Sequence, residues 1–217
     1  MKANTCPLCQ SPNPNHYYRD KVRDYWQCQR CALVFVAACQ YVTAAQEKAI
    51  YDHHENDLDD PGYRRFLSRV FNPLQQRLVA RSKGLDFGCG PAPLLAAMLQ
   101  EQEHTVALYD LYYYPDQCVL YDRYDFICST EVIEHLAEPN IVLRQWYELL
   151  RPGGTLALMT KLVINAERFA TWHYKNDPTH IAFYSKDTFA YIAEQFGFNV
   201  EFIAADVIFL TRPRDRD

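Results

Sequence analysis

No apolar run in this 217-residue chain approaches the length of a membrane span; Cys31 to Cys39 is the longest of note. The N-terminus, Met1 and Lys2 followed by polar residues and Cys6, lacks the apolar region of an export signal. Positive charge is not in excess: the formal net charge is −5 and the pI is about 5.8. A chain so balanced carries no global electrostatic footprint for nucleic acid, although a local basic patch is not excluded. Without an export signal, the eight cysteines read as reduced thiols and metal ligands rather than disulfides, and the expected compartment is the cytoplasm. What is present is a globular composition, 49% hydrophobic and 23% charged, with room for one α/β domain and a small appendage.

The chain is organised around Gly84-Leu85-Asp86-Phe87-Gly88-Cys89-Gly90-Pro91. A short apolar strand runs into a tight glycine turn, and Leu94, Leu95, Met98 and Leu99 open a helix behind it. Glycine permits the sharp turn and the close approach of a ligand, and the helix N-terminus points its N–H groups at whatever lies over the turn. This is the pattern of a nucleotide site at the end of the first strand of an open α/β sheet. The third glycine of a dinucleotide fingerprint is missing, since Pro93 stands there. Pro91 and Pro93 also remove donors a pyrophosphate would use, and Asp86 would repel a pyrophosphate but attract a cation.

Asp86-Phe87-Gly88-Cys89-Gly90 resembles motif I of the class I S-adenosylmethionine (SAM)-dependent methyltransferases. Thr105 to Tyr109 reads as a second strand ending in Asp110, placed to bind both ribose hydroxyls of a nucleoside. Ser129-Thr130-Glu131-Val132-Ile133-Glu134-His135-Leu136 follows a strand from Tyr124 and resembles the corresponding segment of ubiquinone-type O-methyltransferases. Leu150-Arg151-Pro152-Gly153-Gly154 leads into a further apolar strand, another mark of that family. The resemblance covers about residues 80 to 210. It implies a Rossmann-like, open, mostly parallel seven-stranded sheet with an antiparallel last strand. It also implies SAM bound by Asp86, Gly88, Cys89, Gly90, Asp110, Leu111 and Thr130. Residues 111–123 depart from it, because the family fits a helix and a whole strand there. A third strand is expected to shrink to Cys118 to Leu120, and Leu111, Tyr112 and Leu120 are the candidate adenine contacts.

Cys6-Pro7-Leu8-Cys9 and Cys28-Gln29-Arg30-Cys31 make two C-x-x-C pairs at a spacing suited to structural zinc. Each pair presents two thiolates, and two pairs close a tetrahedron. Three short strands, at Tyr17 to Arg19, Tyr25 to Gln27 and Leu33 to Val36, need such a staple. The module resembles zinc-ribbon-like segments ahead of some bacterial methyltransferases. Cys39, Cys89, Cys118 and Cys128 read as small packing residues. The expected divisions are a zinc module at 1–40, a helical linker or cap at 41–83 and a methyltransferase domain at 84–211. In the linker, Tyr51, His54, Asn56 and Tyr63 are candidates for the site mouth, against the alternative of a solvated linker with one core face.

Glu131, Glu134 and His135 stand at i, i+3 and i+4, one side of a helical turn. With His180 downstream, they resemble the divalent-metal site of small-RNA 2′-O-methyltransferases and the catechol O-methyltransfer sites of quinone biosynthesis. Such a set suits a second divalent cation; the alternative is packing and capping with no metal. His135, His180 and Glu131 are the candidate catalytic bases. Phe169, Trp172, His173, Tyr174 and Lys175 lie in a candidate lid, where aromatics either hold a planar substrate or pack on the core. The favoured reaction is methyl transfer from SAM to an oxygen of a small molecule. The alternatives are RNA methylation, for which Arg19, Arg23 and Arg30 would form a basic stripe, and a non-catalytic adaptor that binds SAM or a partner.

Overall fold

The computed structural model describes residues 5–53 and 57–214; His54 and Asn56 lie outside the described residues. Two sheets make up the architecture. The N-terminal sheet contains β1 (Asn15–Arg19), β2 (Asp24–Gln27) and β3 (Val34–Val36), all antiparallel. Helix α1 (Ala44–Tyr51) follows, with Thr43 and Gln46 forming a reciprocal capping box. Helix α2 (Pro61–Gln75) starts where Asp60 accepts from the Gly62 N–H at 2.7 Å and proline fills the first helical turn. The helix continues through Pro73 and ends two residues beyond it.

The main sheet then builds from β4 (Lys83–Phe87), β5 (Thr105–Tyr109), β6 (Tyr124–Thr130) and β7 (Leu150–Met159), all parallel to one another. Helix α3 (Leu94–Gln100) joins β4 to β5, and α4 (Pro139–Leu149) joins β6 to β7. After α5 (Ala166–Ala170) and β8 (Ala182–Phe183) comes α6 (Lys186–Phe196), capped by Ser185 and ended by Gly197 at φ +80°. Strands β9 (Asn199–Phe202) and β10 (Val207–Thr211) complete the sheet in the order β5-β4-β6-β7-β10-β9, with β10 antiparallel to both neighbours.

Among the described residues the sheet therefore has six strands rather than the expected seven. Residues 111–123 are too few for a helix and a strand. Asp116 instead caps a short 3-10 helix, Gln117–Tyr121, by accepting from the Cys118 N–H at 2.9 Å, and β5 becomes the sheet edge. Apolar side chains fill both faces. Trp146 is fully buried beneath the sheet and meets Phe87 edge-on at 5.2 Å, a contact worth about 1 kcal/mol beyond its burial.

Residue 40 does not mark a packing boundary. The N-terminal sheet takes its fourth strand from β8, which pairs with β3 through Val34–Phe183 and Phe35–Ala182. Cys6, Cys28, Cys31 and Leu33 share one apolar core with Trp146 and Tyr184. So small a sheet has too little core of its own, and it buries one face on the large domain. Of the spare cysteines, Cys89 and Cys128 are buried, but Cys39 and Cys118 are exposed and do not pack.

Candidate functional site

The four thiols of Cys6, Cys9, Cys28 and Cys31 converge. Cys6 Sγ lies 3.5 Å from Cys31 Sγ, and Cys9 Sγ lies 3.4 Å from Cys28 Sγ. The two pairs are built alike. Gln10, after Cys9, has φ +58°, and Ala32, after Cys31, has φ +57°. Gln10 N–H returns to the Cys6 carbonyl at 2.9 Å and Ala32 N–H to the Cys28 carbonyl at 3.0 Å. Two matching knuckles thus face each other with their sulfurs inward.

A cavity of about 860 Å³ opens at the C-terminal ends of β4, β5 and β6. Its floor is the glycine turn. Gly88 has φ +76°, and a Cβ there would meet Val132 Cγ2 at 2.4 Å. Its N–H and that of Cys89 are held by the Tyr109 carbonyl, at 2.7 and 3.3 Å. Gly90 has φ +64°, but a Cβ on it would meet nothing within 4 Å. Gly88 is required by a neighbour in the protein; at Gly90 the space is left open.

Asp110 closes the end of β5. Its Oδ2 accepts from the Gly90 N–H at 3.0 Å, and its Oδ1 from Tyr112 and Tyr113 N–H at 2.8 and 3.1 Å. Leu111, Tyr112 and Thr130 line the same cavity; Leu120 does not, and packs against the core instead. Asp86 also stays out of the lining: it is 3% exposed beneath the turn, and burial pushes its carboxyl up to about 7. Asp86, expected as a ligand contact, is thus a buried residue that does not line the cavity.

The opposite wall holds the ionisable cluster. A 3-10 turn, Ile133–His135, follows β6. Glu131 precedes it at φ +53° with its N–H on the Met159 carbonyl at 2.8 Å. That left-handed residue leaves the face shared by Glu134 and His135, so the ligand atoms that gather within 4.8 Å are those of Glu134, His135 and His180, without Glu131. Glu131 lines the cavity, and burial raises its carboxyl above the usual range. Glu134 is fully buried; burial and then the Glu131 charge push it up to about 8. Tyr174 donates its hydroxyl to Glu134 Oε1, while Oε2 is buried without a hydrogen-bond partner among the described residues.

Both imidazoles are oriented through Nδ1. His180 Nδ1–H donates to the Tyr174 carbonyl at 2.7 Å, its Nε2 lies 3.8 Å from Asp177 Oδ2, and burial, opposed by the Asp177 charge, lowers its pKa. His135 Nδ1 reaches the Thr179 carbonyl at 3.1 Å and the Tyr51 hydroxyl at 2.9 Å. The two rings meet edge-on, 4.7 Å apart.

Helix α1 is neither plain linker nor core. None of its residues is buried, yet it grips the cavity rim. Tyr112 donates to Glu47 at 2.7 Å, Tyr113 to Asp52 at 2.8 Å, and Tyr51 to Glu47 at 3.0 Å. Tyr51 and Tyr63 line the cavity as candidates for its mouth. The lid aromatics divide between two tasks. Phe169 and Trp172 pack against the N-terminal sheet, whereas His173 and Tyr174 reach the cavity. His173 also borders a second hollow of about 400 Å³. Of the three arginines of the expected basic stripe, Arg23 is 7% exposed, whereas Arg19 and Arg30 are exposed.

This placement, a glycine turn and an acidic strand end facing a carboxylate–imidazole wall, coincides with a match to a family model. The model is described as "Methyltransferase domain" and covers residues 53–202, more than half the chain. The chain belongs to the methyltransferase-domain family. Among solved structures it is similar to the 1,6-didemethyltoxoflavin-N1-methyltransferase of Burkholderia thailandensis, solved with 1,6-didemethyltoxoflavin and S-adenosylhomocysteine. That match has 15% identity and a TM-score of 0.53, covering 92% of this chain and 99% of that one. It is also similar to human N-acetylserotonin methyltransferase in complex with SAM, at 14% identity and a TM-score of 0.53 over 68% and 51% of the two chains. An O-methyltransferase family protein from Burkholderia thailandensis matches at 14% identity and a TM-score of 0.53, over 80% and 65%. At these identities the likeness is one of fold, that of the SAM-dependent methyltransferases. No curated protein matches the chain in sequence. Among the described residues, no helix of this methyltransferase is long and apolar enough to cross a membrane.

Proposed function

We propose that this protein transfers the methyl group of SAM to an oxygen of a small molecule. The observation that carries the reading is one continuous cavity joining the Gly88–Gly90 turn to His135 and His180. Its volume, about 860 Å³, falls in the upper range of ligand sites and has room for a nucleoside cofactor beside a small acceptor. The residues fit SAM. The open space at Gly90 admits a ligand against the backbone, and Asp110 offers oxygens to ribose hydroxyls at the cavity edge. Pro91 and Pro93 cost nothing with a cofactor that has no phosphate. Asp86 is near enough to be stabilised as an anion by a bound cation.

Bound SAM supplies an electrophilic methyl. The protein's share is to align the acceptor and remove its hydroxyl proton. His180 is the first candidate base, since its Nδ1–H is committed to the Tyr174 carbonyl and Nε2 is the basic atom. His135 and then Glu131 are next. Glu134, His135 and His180 also form a candidate site for a divalent cation, which would lower the pKa of an acceptor hydroxyl. Cys6, Cys9, Cys28 and Cys31 have the donor chemistry and mutual approach of a structural zinc site; with all four ligands from protein, that metal has no open position for catalysis. Burial of Arg23 removes the middle of the basic stripe that RNA binding would use.

Calorimetry with S-adenosylhomocysteine tests the cofactor assignment, and no binding would overturn it along with any SAM-binding adaptor reading. Transfer of labelled methyl from SAM into a small-molecule extract, resolved by mass spectrometry, then identifies the acceptor atom. Label appearing only in RNA would replace the small-molecule reading. Two metals per chain by elemental analysis would support the second cation, and one cysteine-bound zinc would argue against it.

A further inference from the structure

Arg23 sits at the tip of the hairpin between β1 and β2, in a module whose cysteines are remote from the cavity in sequence. Its side chain turns inward. Nη1 donates to the carbonyls of Pro178 at 3.1 Å and His180 at 3.0 Å. Nη2 donates to the carbonyls of Lys175 and, at 2.9 Å, Asp177. Nε donates to the Tyr25 hydroxyl at 3.2 Å. Four backbone acceptors of one short turn thus converge on a single guanidinium. Inside a protein such carbonyls need partners; besides Arg23, the Asp177 carbonyl accepts from the His180 N–H at 3.3 Å and the Lys175 carbonyl from the Tyr25 hydroxyl at 3.2 Å. A planar fork with five N–H donors satisfies them together, whereas a lysine ammonium has three donors and no fork.

The hairpin tip is itself fixed. Asp20 Oδ1 accepts from Val22 and Arg23 N–H at 2.8 and 2.7 Å. Asp20 Oδ2 accepts from the Tyr25 hydroxyl at 2.8 Å and lies 3.7 Å from Lys175 Nζ. Beyond the turn, Ile181 N–H donates to the Glu134 carbonyl at 2.9 Å, and Ala182–Phe183 pair with β3. The turn that carries His180 is therefore held from the N-terminal module on both sides.

We propose that Arg23 is a positioning residue for the acceptor end of the cavity. Its guanidinium holds the 175–180 turn, and so sets the His180 ring against His135. The proposal rests on the reading of His180 as part of a methyl-transfer site and deepens it. The cysteine module then belongs to the reactive unit, because its hairpin supplies this clamp.

The test uses the full chain as Arg23→Lys and Arg23→Ala. Three measurements are made on each: hydrogen exchange, the nuclear Overhauser contact between the His135 and His180 rings, and calorimetry with S-adenosylhomocysteine. The expected result is that the amides of Asn176, Asp177 and Thr179 to Ile181 exchange at least about tenfold faster while β4 keeps its protection. The ring-to-ring contact is weakened or lost, and S-adenosylhomocysteine affinity stays within about twofold, its site being formed by other residues. If Arg23→Ala does not fold, Arg23→Lys decides, because it keeps the charge and stem but not the fork. Unchanged exchange and an unchanged ring contact in the lysine variant overturn the proposal. Equal loss of protection in β4 and in the turn also overturns it, since Arg23 would then be a general stabiliser. Failure of the parent chain to bind S-adenosylhomocysteine would count against the cofactor assignment alone, and the exchange data would still decide the role of Arg23.

Discussion

Gly88 and Gly90, two positions apart in one turn, separate stability from binding. In Gly88→Ala, an L-residue at φ +76° costs roughly 1–2 kcal/mol. The new methyl would also stand 2.4 Å from Val132 Cγ2, and relieving such overpacking costs about 1–3 kcal/mol. The sum is about 2–5 kcal/mol, a large share of a stability on the order of 5–15 kcal/mol, and it lowers Tm by roughly 5–15 °C. In Gly90→Ala the φ of +64° carries a similar conformational cost, but the methyl meets nothing within 4 Å. Tm should fall by only about 2–6 °C. That methyl enters the space assigned to the cofactor, so S-adenosylhomocysteine affinity should fall by about 10–100-fold, or roughly 1.4–2.7 kcal/mol. Thermal unfolding and calorimetry on both variants measure the contrast. Adding Val132→Ala to Gly88→Ala should recover about 1–2 kcal/mol, the steric part. If Gly90→Ala binds S-adenosylhomocysteine as tightly as the parent, the turn is not the cofactor floor. If Gly88→Ala keeps the parent Tm, the close approach of Val132 is not limiting.

Asp110→Ala strips the acceptor from three backbone N–H groups; it should cost about 1–3 kcal/mol of stability and at least tenfold in S-adenosylhomocysteine affinity, and retained affinity in calorimetry would remove Asp110 from the site. Cys31→Ser should abolish one zinc per chain in elemental analysis and destabilise the N-terminal sheet; an unchanged metal content would exclude the four-cysteine site. The buried Asp86 carboxyl, at about 7 when folded, lies above its unfolded value of about 4. The folded chain therefore holds the extra proton between those values. Its contribution to stability is fully present below about pH 4 and falls by about 1.4 kcal/mol per pH unit as pH rises toward 7. Asp86→Asn should remove that slope, so its unfolding free energy should gain on the parent's with rising pH; parallel curves would refute the assignment.

The parts of the site legible from sequence are those made within one local segment. Gly88 and Gly90 announce a positive-φ turn because other residues pay strain there. Asp110 is identified by its distance from that turn, and the cysteine pairs by spacing that geometry demands. Less legible were roles set by a partner far away in the chain. Glu131 fits the helical spacing of Glu134 and His135, yet its backbone turns left-handed when its N–H joins Met159. Glu47 and Asp52 look like ordinary surface acids until Tyr112 and Tyr113 meet them. Arg23 looks like one charge of a basic stripe, and no local pattern reveals four carbonyls 150 residues onward in the chain.

By itself, then, the sequence determined the class of sheet, the glycine turn with its acidic partner, and two thiol pairs able to close on one ion. These follow from short-range backbone conformation and from alternation of apolar residues, which each segment carries alone. Only the tertiary structure decided that the sheet has six strands among the described residues, that Asp86 is buried outside the cavity lining, and that β8 joins the cysteine module to the domain. Burial, and the need of every buried carbonyl for a donor, are properties of the whole packing; that need is what draws Arg23 into the turn beneath His180.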